Sequence, residues 1–325
     1  MTAYKRLSPY KCAERILSIK KPLIVMHARP DGDTVGSGAA LCKIFEALGK
    51  TAYYVCEDNI PKRLEFLTEG CKKATSFEGF EPIAVDIASP AQAGNVFNYI
   101  PRPILMIDHH EFGEPFADGY IAKGLSSAGE AVLNICEQLI KMNKIKLTPE
   151  IAYPIYAAIS SDTACFRYSS ATRKTYMKAG RLIDVGIDFS DINHRLFNSK
   201  LPEQVKAEGY ISSNIHTDEG GKIAYASITR RDREELGIPF EYFETAVDVV
   251  KQLLGVEVAF VVKETDSNEF RASLRSTGQN VAKIAKELGG GGHVRAAGCS
   301  PKAETIEDAV RMVLSLVKKE HFGQA

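Results

Sequence analysis

The chain has 325 residues, of which 45% are hydrophobic and 25% are charged, and this composition is typical of a folded globular protein. A prior of roughly 150 residues per domain predicts two domains, each long enough to bury a core of its own. The 41 Lys and Arg residues balance the 41 Asp and Glu residues, so the formal net charge is zero. This balance disfavours a strongly basic protein that holds long nucleic acids through many phosphate contacts, but it leaves room for a local basic pocket.

The seven cysteines are scattered and form no C-x-x-C pair. Such a set argues against a disulfide framework and a cysteine zinc site, and it favours a reducing, cytoplasmic environment. No apolar run approaches the roughly 20 residues that cross a membrane. Residues 1–11 are polar and contain no secretion signal. We therefore expect a cytoplasmic protein without a membrane-spanning segment.

Short apolar segments alternate with amphipathic segments through the first half of the chain. The predicted strands are 22–27, 51–56, 82–86 and 104–108. The predicted helices are 36–48, a helix that opens with a capping box at Ser127 and Glu130, 149–160 and 172–184. This alternation is typical of α/β proteins, in which helices cover both faces of a parallel sheet.

The pattern changes after about Phe197. Residues 201–210 are polar and indicate a connector. Further along, the predicted strands are 222–229, 256–263 and 269–274, and the predicted helices are 241–254, 280–288 and 305–319. These segments predict a smaller α+β domain. The expected organisation is a domain at 1–197, a linker at 198–212 and a second domain at 213–325.

Aspartate and histidine residues follow three of the predicted strands of the first domain. These residues are His27, Asp31, Asp33, Asp86, Asp108, His109 and His110. Taken one at a time, they also fit polar turns, helix caps or a buried polar cluster. Ligands of open α/β sheets bind beyond the carboxyl ends of the strands, so neighbouring strands would gather these side chains at one edge.

Six side chains of this kind could together hold divalent cations. They are His27, Asp31, Asp33, Asp86, His109 and Asp162, the last of which follows the helix predicted at 149–160 and alone would be an ordinary turn residue. Six ligands suffice for a two-metal site that activates water against a phosphoester. Oxygen and imidazole ligands without thiolate favour Mn²⁺ or Mg²⁺ over structural zinc.

The adjacent histidines are not expected to play the same part. Neighbouring side chains on extended backbone point to opposite sides, so one of His109 and His110 would be a ligand and the other an acid, a base or a phosphate contact. Asp108 could orient a ring nitrogen of either histidine.

A second group of candidate residues lies near the end of the chain. Arg275 ends a predicted strand, and the glycine run 289–292 leads into His293. Consecutive glycines expose N–H groups to an anion, and an arginine can hold a phosphate through two hydrogen bonds. The alternative is that the glycines only cap a helix. No P-loop motif and no strand followed by G-x-G-x-x-G occurs, which disfavours P-loop hydrolysis and dinucleotide redox chemistry.

Together these motifs resemble the DHH phosphoesterases. The four motifs of that family match His27-x-x-x-Asp31-x-Asp33, Asp86, Asp108-His109-His110 and Asp162, in order. The DHH-associated C-terminal domain matches Ser273-Leu-Arg275-Ser276 and Gly290-Gly-Gly-His293-x-x-Ala296-Ala297-Gly298. The resemblance covers nearly the whole chain. In length and in its lack of extra domains, the chain resembles the stand-alone nanoRNase/pAp phosphatase type. RecJ exonucleases carry an added OB domain, and family II pyrophosphatases have a different C-terminal domain.

The resemblance implies a role for each residue. His27, Asp31 and Asp86 would hold one Mn²⁺ ion, with Mg²⁺ or Co²⁺ as alternatives. The second ion would be held by Asp33, Asp86, His109 and Asp162, so that Asp86 bridges the pair. His110 would contact the scissile phosphate and protonate the leaving oxygen, and Asp108 would support the histidines. The substrate would be bound across a cleft between the domains by Arg275, Ser276, Gly290, Gly291, Gly292 and His293.

One segment departs from the family pattern. Relatives often have glycine where this chain has Ala164 or Cys165. Nearby Arg167 could bind phosphate, but a structural role is an equal alternative.

We therefore predict a Mn-dependent phosphoesterase that acts on short RNA or DNA oligonucleotides, dinucleotides or 3′-phosphoadenosine 5′-phosphate (pAp) by direct attack of water. The alternatives are a cyclic-dinucleotide phosphodiesterase, a RecJ-type single-strand exonuclease and a nucleotide-binding sensor without catalysis. The expected partners are short nucleotides, without a long nucleic-acid scaffold or a membrane. A homodimer is an open option.

Overall fold

The chain folds into two compact units, Met1–Ser199 and Lys200–Ala325, and each has its own sheet. The computed structural model describes residues 4–323, apart from the side chain of His293. Within that range no helix combines the length and the apolar character needed to cross a membrane.

The first unit is built on a six-stranded parallel sheet in the order β3-β2-β1-β4-β5-β6. Its strands are β1 (Pro22–Val25), β2 (Tyr53–Val55), β3 (Lys72–Lys73), β4 (Glu81–Val85), β5 (Leu105–Asp108) and β6 (Gly119–Ile121). Its helices are α1 (Pro9–Ser18), α2 (Gly32–Ala47), α3 (Ala128–Lys141), α4 (Pro149–Asp162), α5 (Arg173–Ile183) and α6 (Phe189–Asn193). The predicted α/β class and parallel sheet are confirmed.

The two faces of this sheet are covered differently, which corrects the expectation of helices on both. The α-helices pack on one face around residues such as Ile24 and Ile107. Against the other face, which carries Val25 and Ala84, pack two short 3₁₀ helices, Pro90–Ala93 and Val96–Asn98, together with aromatic side chains. The connection after β4 contains glycine and several prolines, which interrupt an α-helix.

The second unit contains a mixed six-stranded sheet in the order β11-β12-β10-β9-β8-β7. Its strands are β7 (His216–Asp218), β8 (Ile223–Ile228), β9 (Val258–Glu264), β10 (Phe270–Ser276), β11 (Gly291–His293) and β12 (Ala296–Cys299). Its helices are α7 (Pro202–Ser213), α8 (Arg230–Leu236), α9 (Val247–Lys251), α10 (Val281–Glu287) and α11 (Ile306–Phe322). Strands β8 and β9 pair in parallel and the other pairs are antiparallel, as the predicted α+β character requires.

The segment predicted as a linker at 198–212 is mostly helical in the structure. Helix α7 buries Ala207 and Ile211 in the core of the second unit. Few of its residues are apolar, so the hydrophobic pattern that usually identifies a packed helix is weak. The predicted helix 241–254 is likewise divided, into the 3₁₀ turn Phe240–Phe243 and the short α9.

Candidate active site

The predicted site residues of the first unit meet at the carboxyl ends of three neighbouring strands. His27 follows β1, Asp86 comes directly after β4, and Asp108 is the last residue of β5. Strand β4 lies between β1 and β5, so the chain segments that leave these strands are adjacent. This is the edge at which open α/β sheets bind their ligands.

His27 joins two of the carboxylates. Its Nε2 atom lies 3.5 Å from Asp31 Oδ1 and 3.5 Å from Asp86 Oδ2. Its Nδ1 atom lies 2.8 Å from the carbonyl oxygen of Ala28, and this contact orients the ring. Burial works against a charge on this ring, but the contacts with Asp31 and Asp86 outweigh it and raise the pKa of His27 to about 11.

His109 lies among three carboxylates. Its Nε2 atom is 3.6 Å from Asp33 Oδ2, 3.6 Å from Asp86 Oδ1 and 3.7 Å from Asp162 Oδ2. Its Nδ1 atom faces the carbonyl oxygen of Leu125 at 3.3 Å, which leaves Nε2 directed at the acids. Because His27 contacts Oδ2 of Asp86 and His109 contacts Oδ1, Asp86 is shared by the two groups.

Asp86 is in an unfavourable environment. It is 3% exposed, and its Oδ1 atom is buried without a hydrogen-bond partner among the described residues. Its φ of 58° lies in the left-handed region, which residues other than glycine seldom adopt. A buried carboxylate oxygen without a donor is costly in free energy. A cation that Asp86 ligates would remove this cost, so the residues fit a metal site.

The carboxylates around Asp86 disfavour one another's charge. Burial raises the pKa of Asp33 well above its usual value, and the charges of Asp86, Asp162 and Asp31 raise it further. Burial also raises the pKa of Asp162 to about 7. The pKa of Asp31 is lowered, because contacts with His27 outweigh its desolvation. A divalent cation stabilises such a group of acids in their charged form.

Two helix N-termini fix the acids of the first motif. Asp31 is the N-cap of α2, and its Oδ1 atom accepts hydrogen bonds from the N–H groups of Asp33 and Thr34, each at 3.0 Å. Asp33 accepts hydrogen bonds from the first N–H groups of α3, those of Ala128 at 2.7 Å and Gly129 at 3.0 Å. N-terminal amides favour negative charge, so these contacts hold the carboxylates in place.

Sequence reasoning missed how the start of α3 is held. Ser127 accepts the N–H of Glu130 at 3.1 Å, as the capping box requires. The carboxylate of Glu130 instead accepts hydrogen bonds from Ser126 at 2.6 Å, Thr175 at 2.7 Å and Lys178 at 2.8 Å. Glu130 thus ties the helix end that holds Asp33 to α5. Only the distant partners in α5 distinguish this arrangement, and a local motif does not contain them.

His110 differs from its neighbour. Its Nδ1 atom lies 2.7 Å from Oδ1 of the buried Asp108, and this hydrogen bond is the main reason that the pKa of His110 is raised to about 9. The same Nδ1 atom lies 3.7 Å from Asp86 Oδ1. A histidine held in this way is protonated near neutral pH and can serve as a general acid.

Three groups of described side chains are close enough to hold a metal ion. They are His27, Asp31 and Asp86; Asp33, His109 and Asp162; and Asp86, His109 and His110. The first two correspond to the ligand sets that the resemblance implies. The third places His110 within reach of a metal as well, so geometry alone leaves two roles for this residue.

Asp162 is the last residue of α4, whereas the sequence placed it after the helix. Ala164, Cys165 and Phe166 follow in the left-handed region, with φ of 48°, 59° and 60°. Glycine adopts this conformation without strain, so a glycine would fit this turn better than the residues present here. The guanidinium of Arg167 donates from Nε to the carbonyl oxygen of Ala164 at 2.7 Å, so part of it supports the turn.

The substrate residues predicted in the second unit have partners of their own. Arg275 donates from Nε to Asp248 Oδ1 at 3.0 Å. Ser276 is buried, and its hydroxyl donates to the carbonyl oxygen of Gln279 at 2.5 Å. Gly290, Gly291 and Gly292 lead into and form the edge strand β11.

Close backbone packing accounts for two of these glycines, Gly290 and Gly292, since a Cβ on Gly292 would lie 2.6 Å from the carbonyl oxygen of Ala296. A Cβ on Gly290 would lie 2.1 Å from the carbonyl oxygen of Gly298, so no side chain fits there. The backbone of His293 pairs with Ala296, and its side chain lies outside the described part of the structure. Substrate binding by this set stays a prediction.

Comparison with known proteins agrees with the fold and the site. Residues 21–159 match the DHH family, N-terminal domain, and residues 220–319 match the DHHA1 domain. The two matches together cover well over half of the chain. The chain therefore carries a DHH family, N-terminal domain and a DHHA1 domain, which confirms the recognition made from its motifs and, with it, the prediction of a phosphoric ester hydrolase.

Individual relatives extend over nearly the whole chain. The protein is 28% identical to the bifunctional oligoribonuclease and PAP phosphatase NrnA of Thermus thermophilus, across 95% of this chain and 93% of that protein. It is 26% identical to the cyclic-di-AMP phosphodiesterase GdpP of Geobacillus thermodenitrificans, across 94% of this chain and 48% of that protein. An exopolyphosphatase-related protein from Bacteroides fragilis shares the fold, with a TM-score of 0.86, 23% identity and 96% of each chain covered.

Proposed function

We propose that this protein is a divalent-metal-dependent phosphoesterase that hydrolyses short oligonucleotides, dinucleotides or pAp. The observation that carries the proposal is Asp86, a buried acid that two groups of histidines and acids share and whose Oδ1 atom has no hydrogen-bond partner among the described residues. The similarity to an oligoribonuclease and PAP phosphatase over nearly the full length of both chains supports the substrate class.

The side chains fit two cations that share Asp86. One would be held by His27, Asp31 and Asp86, and the other by Asp33, Asp86, His109 and Asp162. Oxygen and imidazole donors without thiolate favour Mn²⁺, with Mg²⁺ and Co²⁺ as alternatives. Such cations polarise a phosphoester and lower the pKa of an attacking water molecule, so no covalent intermediate is required.

His110 is the proposed general acid. Asp108 accepts a hydrogen bond from its Nδ1–H at 2.7 Å, which fixes the ring and leaves Nε2 available for substrate. The hydrogen bond to Asp108 raises the pKa of His110 and so favours the protonated ring, which can pass its proton to the leaving oxygen. Asp108 acts through this histidine and need not touch the substrate.

We propose that the second unit binds the substrate. The predicted contacts are Arg275, Ser276, Gly290, Gly291, Gly292 and His293. Strand β11 is at the edge of its sheet, so N–H groups on its outer side can meet an anion. Arg275 is paired with an Asp248 side chain that is 51% exposed, and a phosphate can replace such a partner at little cost.

The expected setting is the reducing cytoplasm. All seven cysteines are free, and five of them are buried as ordinary small apolar side chains. The proposed partners are short nucleotides alone. A homodimer is a proposal that the size of the purified protein in solution would test.

A cyclic-dinucleotide phosphodiesterase is the second candidate, because the similarity to GdpP covers 94% of this chain. A nucleotide-binding sensor is less well supported, since all six proposed ligands are present and close together.

The test is a substrate series with the metal-stripped protein and added Mn²⁺. The series contains pAp, the linear dinucleotide pApA, a 5-mer, a 24-mer and cyclic di-AMP. We expect metal-dependent hydrolysis with the highest kcat/KM on pAp, pApA or the 5-mer. Preference for cyclic di-AMP would select the second candidate, and efficient degradation of the 24-mer would select a RecJ-type exonuclease. Binding without hydrolysis of any substrate would contradict the proposal and select the sensor.

A further inference from the structure

Phe112 is an exposed aromatic residue next to the candidate active site. Its side chain is 85% exposed, compared with 56% for Tyr168, the next most exposed aromatic among the described residues. It lies two residues beyond His110, in the loop that leaves β5. Single exposed apolar residues are common on protein surfaces, so exposure alone does not indicate a function for Phe112. Its surroundings distinguish it from other exposed residues.

The loop that carries Phe112 is fixed to the segment that carries Asp86. Gly113 lies against Ala88, since a Cβ at position 113 would be 2.5 Å from the Ala88 carbonyl oxygen. The N–H of Glu114 donates to the same oxygen at 2.8 Å. The backbone on the C-terminal side of Phe112 is therefore held close to the acid that the two proposed metal sites share.

A cavity lies beside the same loop. It has a volume of about 150 Å³, and its lining includes Asp108, His110, Gly113 and Lys123. The cavity therefore extends from the proposed general acid to Gly113, the residue next to Phe112 in the chain. Lys123 gives it a positive charge that suits the phosphate or sugar oxygens of a nucleotide.

Phe116 in the same loop provides a contrast. Its ring packs against Phe97 with the centroids 5.3 Å apart and is part of the core beneath the sheet. No ring or cation of the described residues lies against Phe112. The loop therefore buries one of its two phenylalanine rings and leaves the other free at the site.

The chemistry of the exposed ring indicates its ligand. A phenyl ring has no charge and no hydrogen-bond donor for a phosphate. Nucleobases, however, stack on aromatic side chains, and this stacking accepts any base. We propose that Phe112 stacks on a nucleobase of the substrate, the one nearest the scissile phosphate, and so makes the enzyme prefer nucleotides over phosphoesters without a base. This inference rests on the proposed function.

The test compares two substrates that differ only in their bases. One is the dinucleotide pApA, and the other is the same dinucleotide with both bases replaced by hydrogen. Phe112→Ala should lower kcat/KM for pApA by about 5- to 150-fold, which corresponds to about 1–3 kcal/mol of stacking. It should leave the abasic analogue unchanged. Tyr10→Ala is the matched control, because Tyr10 is a 48% exposed aromatic residue on α1, and it should affect neither substrate.

A second measurement does not depend on catalysis. The chain contains no tryptophan, so Phe112→Trp would introduce a single tryptophan, at this position. Its emission should be quenched by pAp or pApA and not by the abasic analogue, and this variant should retain hydrolysis.

The inference is overturned if Phe112→Ala leaves the ratio of pApA to abasic cleavage unchanged, or if the Phe112→Trp emission does not respond to pApA. If Phe112→Ala changes the oligomeric state of the protein on gel filtration, Phe112 belongs to an interface between copies of the chain, and this result also overturns the inference. If the wild type hydrolyses none of pAp, pApA and the 5-mer, the proposed function fails, and the quenching experiment still decides whether Phe112 contacts a base.

Discussion

The candidate functional residues of the two units have different surroundings. In the first unit, acids and histidines converge where three parallel strands end, and the buried Asp86 Oδ1 atom has no hydrogen-bond partner among the described residues. In the second unit, Arg275 and Ser276 each have a hydrogen-bond partner, in Asp248 and Gln279. The candidate metal site therefore contains a buried polar atom that a cation would satisfy, whereas Arg275 and Ser276 already have partners within the second unit.

The largest expected effect comes from removing the shared acid. Asp86→Asn should lose bound Mn²⁺ and reduce hydrolysis to background, because both proposed metal sites include this carboxylate. Metal content by elemental analysis and kcat on pApA measure the effect, and circular dichroism checks the fold. Asp184→Asn, at the end of α5, is the control and should leave both quantities unchanged. Near-normal Mn-dependent activity in Asp86→Asn would contradict the assignment of two metals and the comparison built on it.

The histidine pair tests the roles within the first unit. His109→Ala should lose metal, since its Nε2 atom faces three carboxylates. His110→Ala should keep its metal and lose about 10²- to 10⁴-fold in kcat, the usual contribution of a general acid. Equal metal loss in both variants would show that His110 is a ligand, which its distance to Asp86 also allows.

Arg275 tests the second unit. Arg275→Ala should retain both Mn²⁺ ions and lose about 10- to 150-fold in kcat/KM, because a charge-assisted hydrogen bond is worth about 1.5–3 kcal/mol. Arg231→Ala in the same unit is the control, since the Arg231 side chain is 87% exposed and pairs only with Glu235 in its own helix. If kcat/KM of Arg275→Ala equals that of the wild type, Arg275 does not bind substrate. If the variant loses metal, Arg275 contributes to the metal site, and the contrast between the two groups of residues is wrong.

The smallest expected effect concerns the turn after Asp162. Ala164→Gly should raise the free energy of unfolding by about 0.5–1 kcal/mol, because relief of the left-handed conformation outweighs the greater freedom of glycine in the unfolded chain. Ala157→Gly, within α4, should lower it, since glycine weakens a helix. Urea denaturation measures both. If Ala164→Gly is as destabilising as Ala157→Gly, the turn is not strained.

The sequence predicts the first unit well because its signals are local. His27, Asp86 and the Asp108-His109-His110 motif each lie within two residues of a strand end, and an apolar strand is easy to recognise. Asp162 instead ends a helix. The parallel sheet therefore follows from the alternation of strands and helices. The gathering of His27, Asp86 and His109 follows once β1, β4 and β5 are neighbours.

What the sequence does not predict depends on distant partners. Helix α7 packs through only a few apolar residues, so its hydrophobic pattern is weak and a linker was expected. The contacts of Glu130 with Thr175 and Lys178 join positions far apart in the chain. The left-handed turn at Ala164 contains no glycine or asparagine, the residues that usually indicate this conformation. In each case tertiary contacts decide the local structure.

Two glycines, one on α2 and one on α3, allow these helices to pack closely against α4. A Cβ on Gly36 of α2 would lie 2.6 Å from the Pro154 carbonyl oxygen, and one on Gly129 of α3 would lie 2.6 Å from the Ala158 side chain. Backbone therefore sets the distance between these helices and α4, and α4 carries Asp162 at its end. A displacement of about 1 Å at a reacting centre can cost 10²-fold in rate. A genetic screen for inactive protein should therefore recover substitutions at Gly36 and Gly129 as often as at the metal ligands, even though both glycines lie within the helix packing.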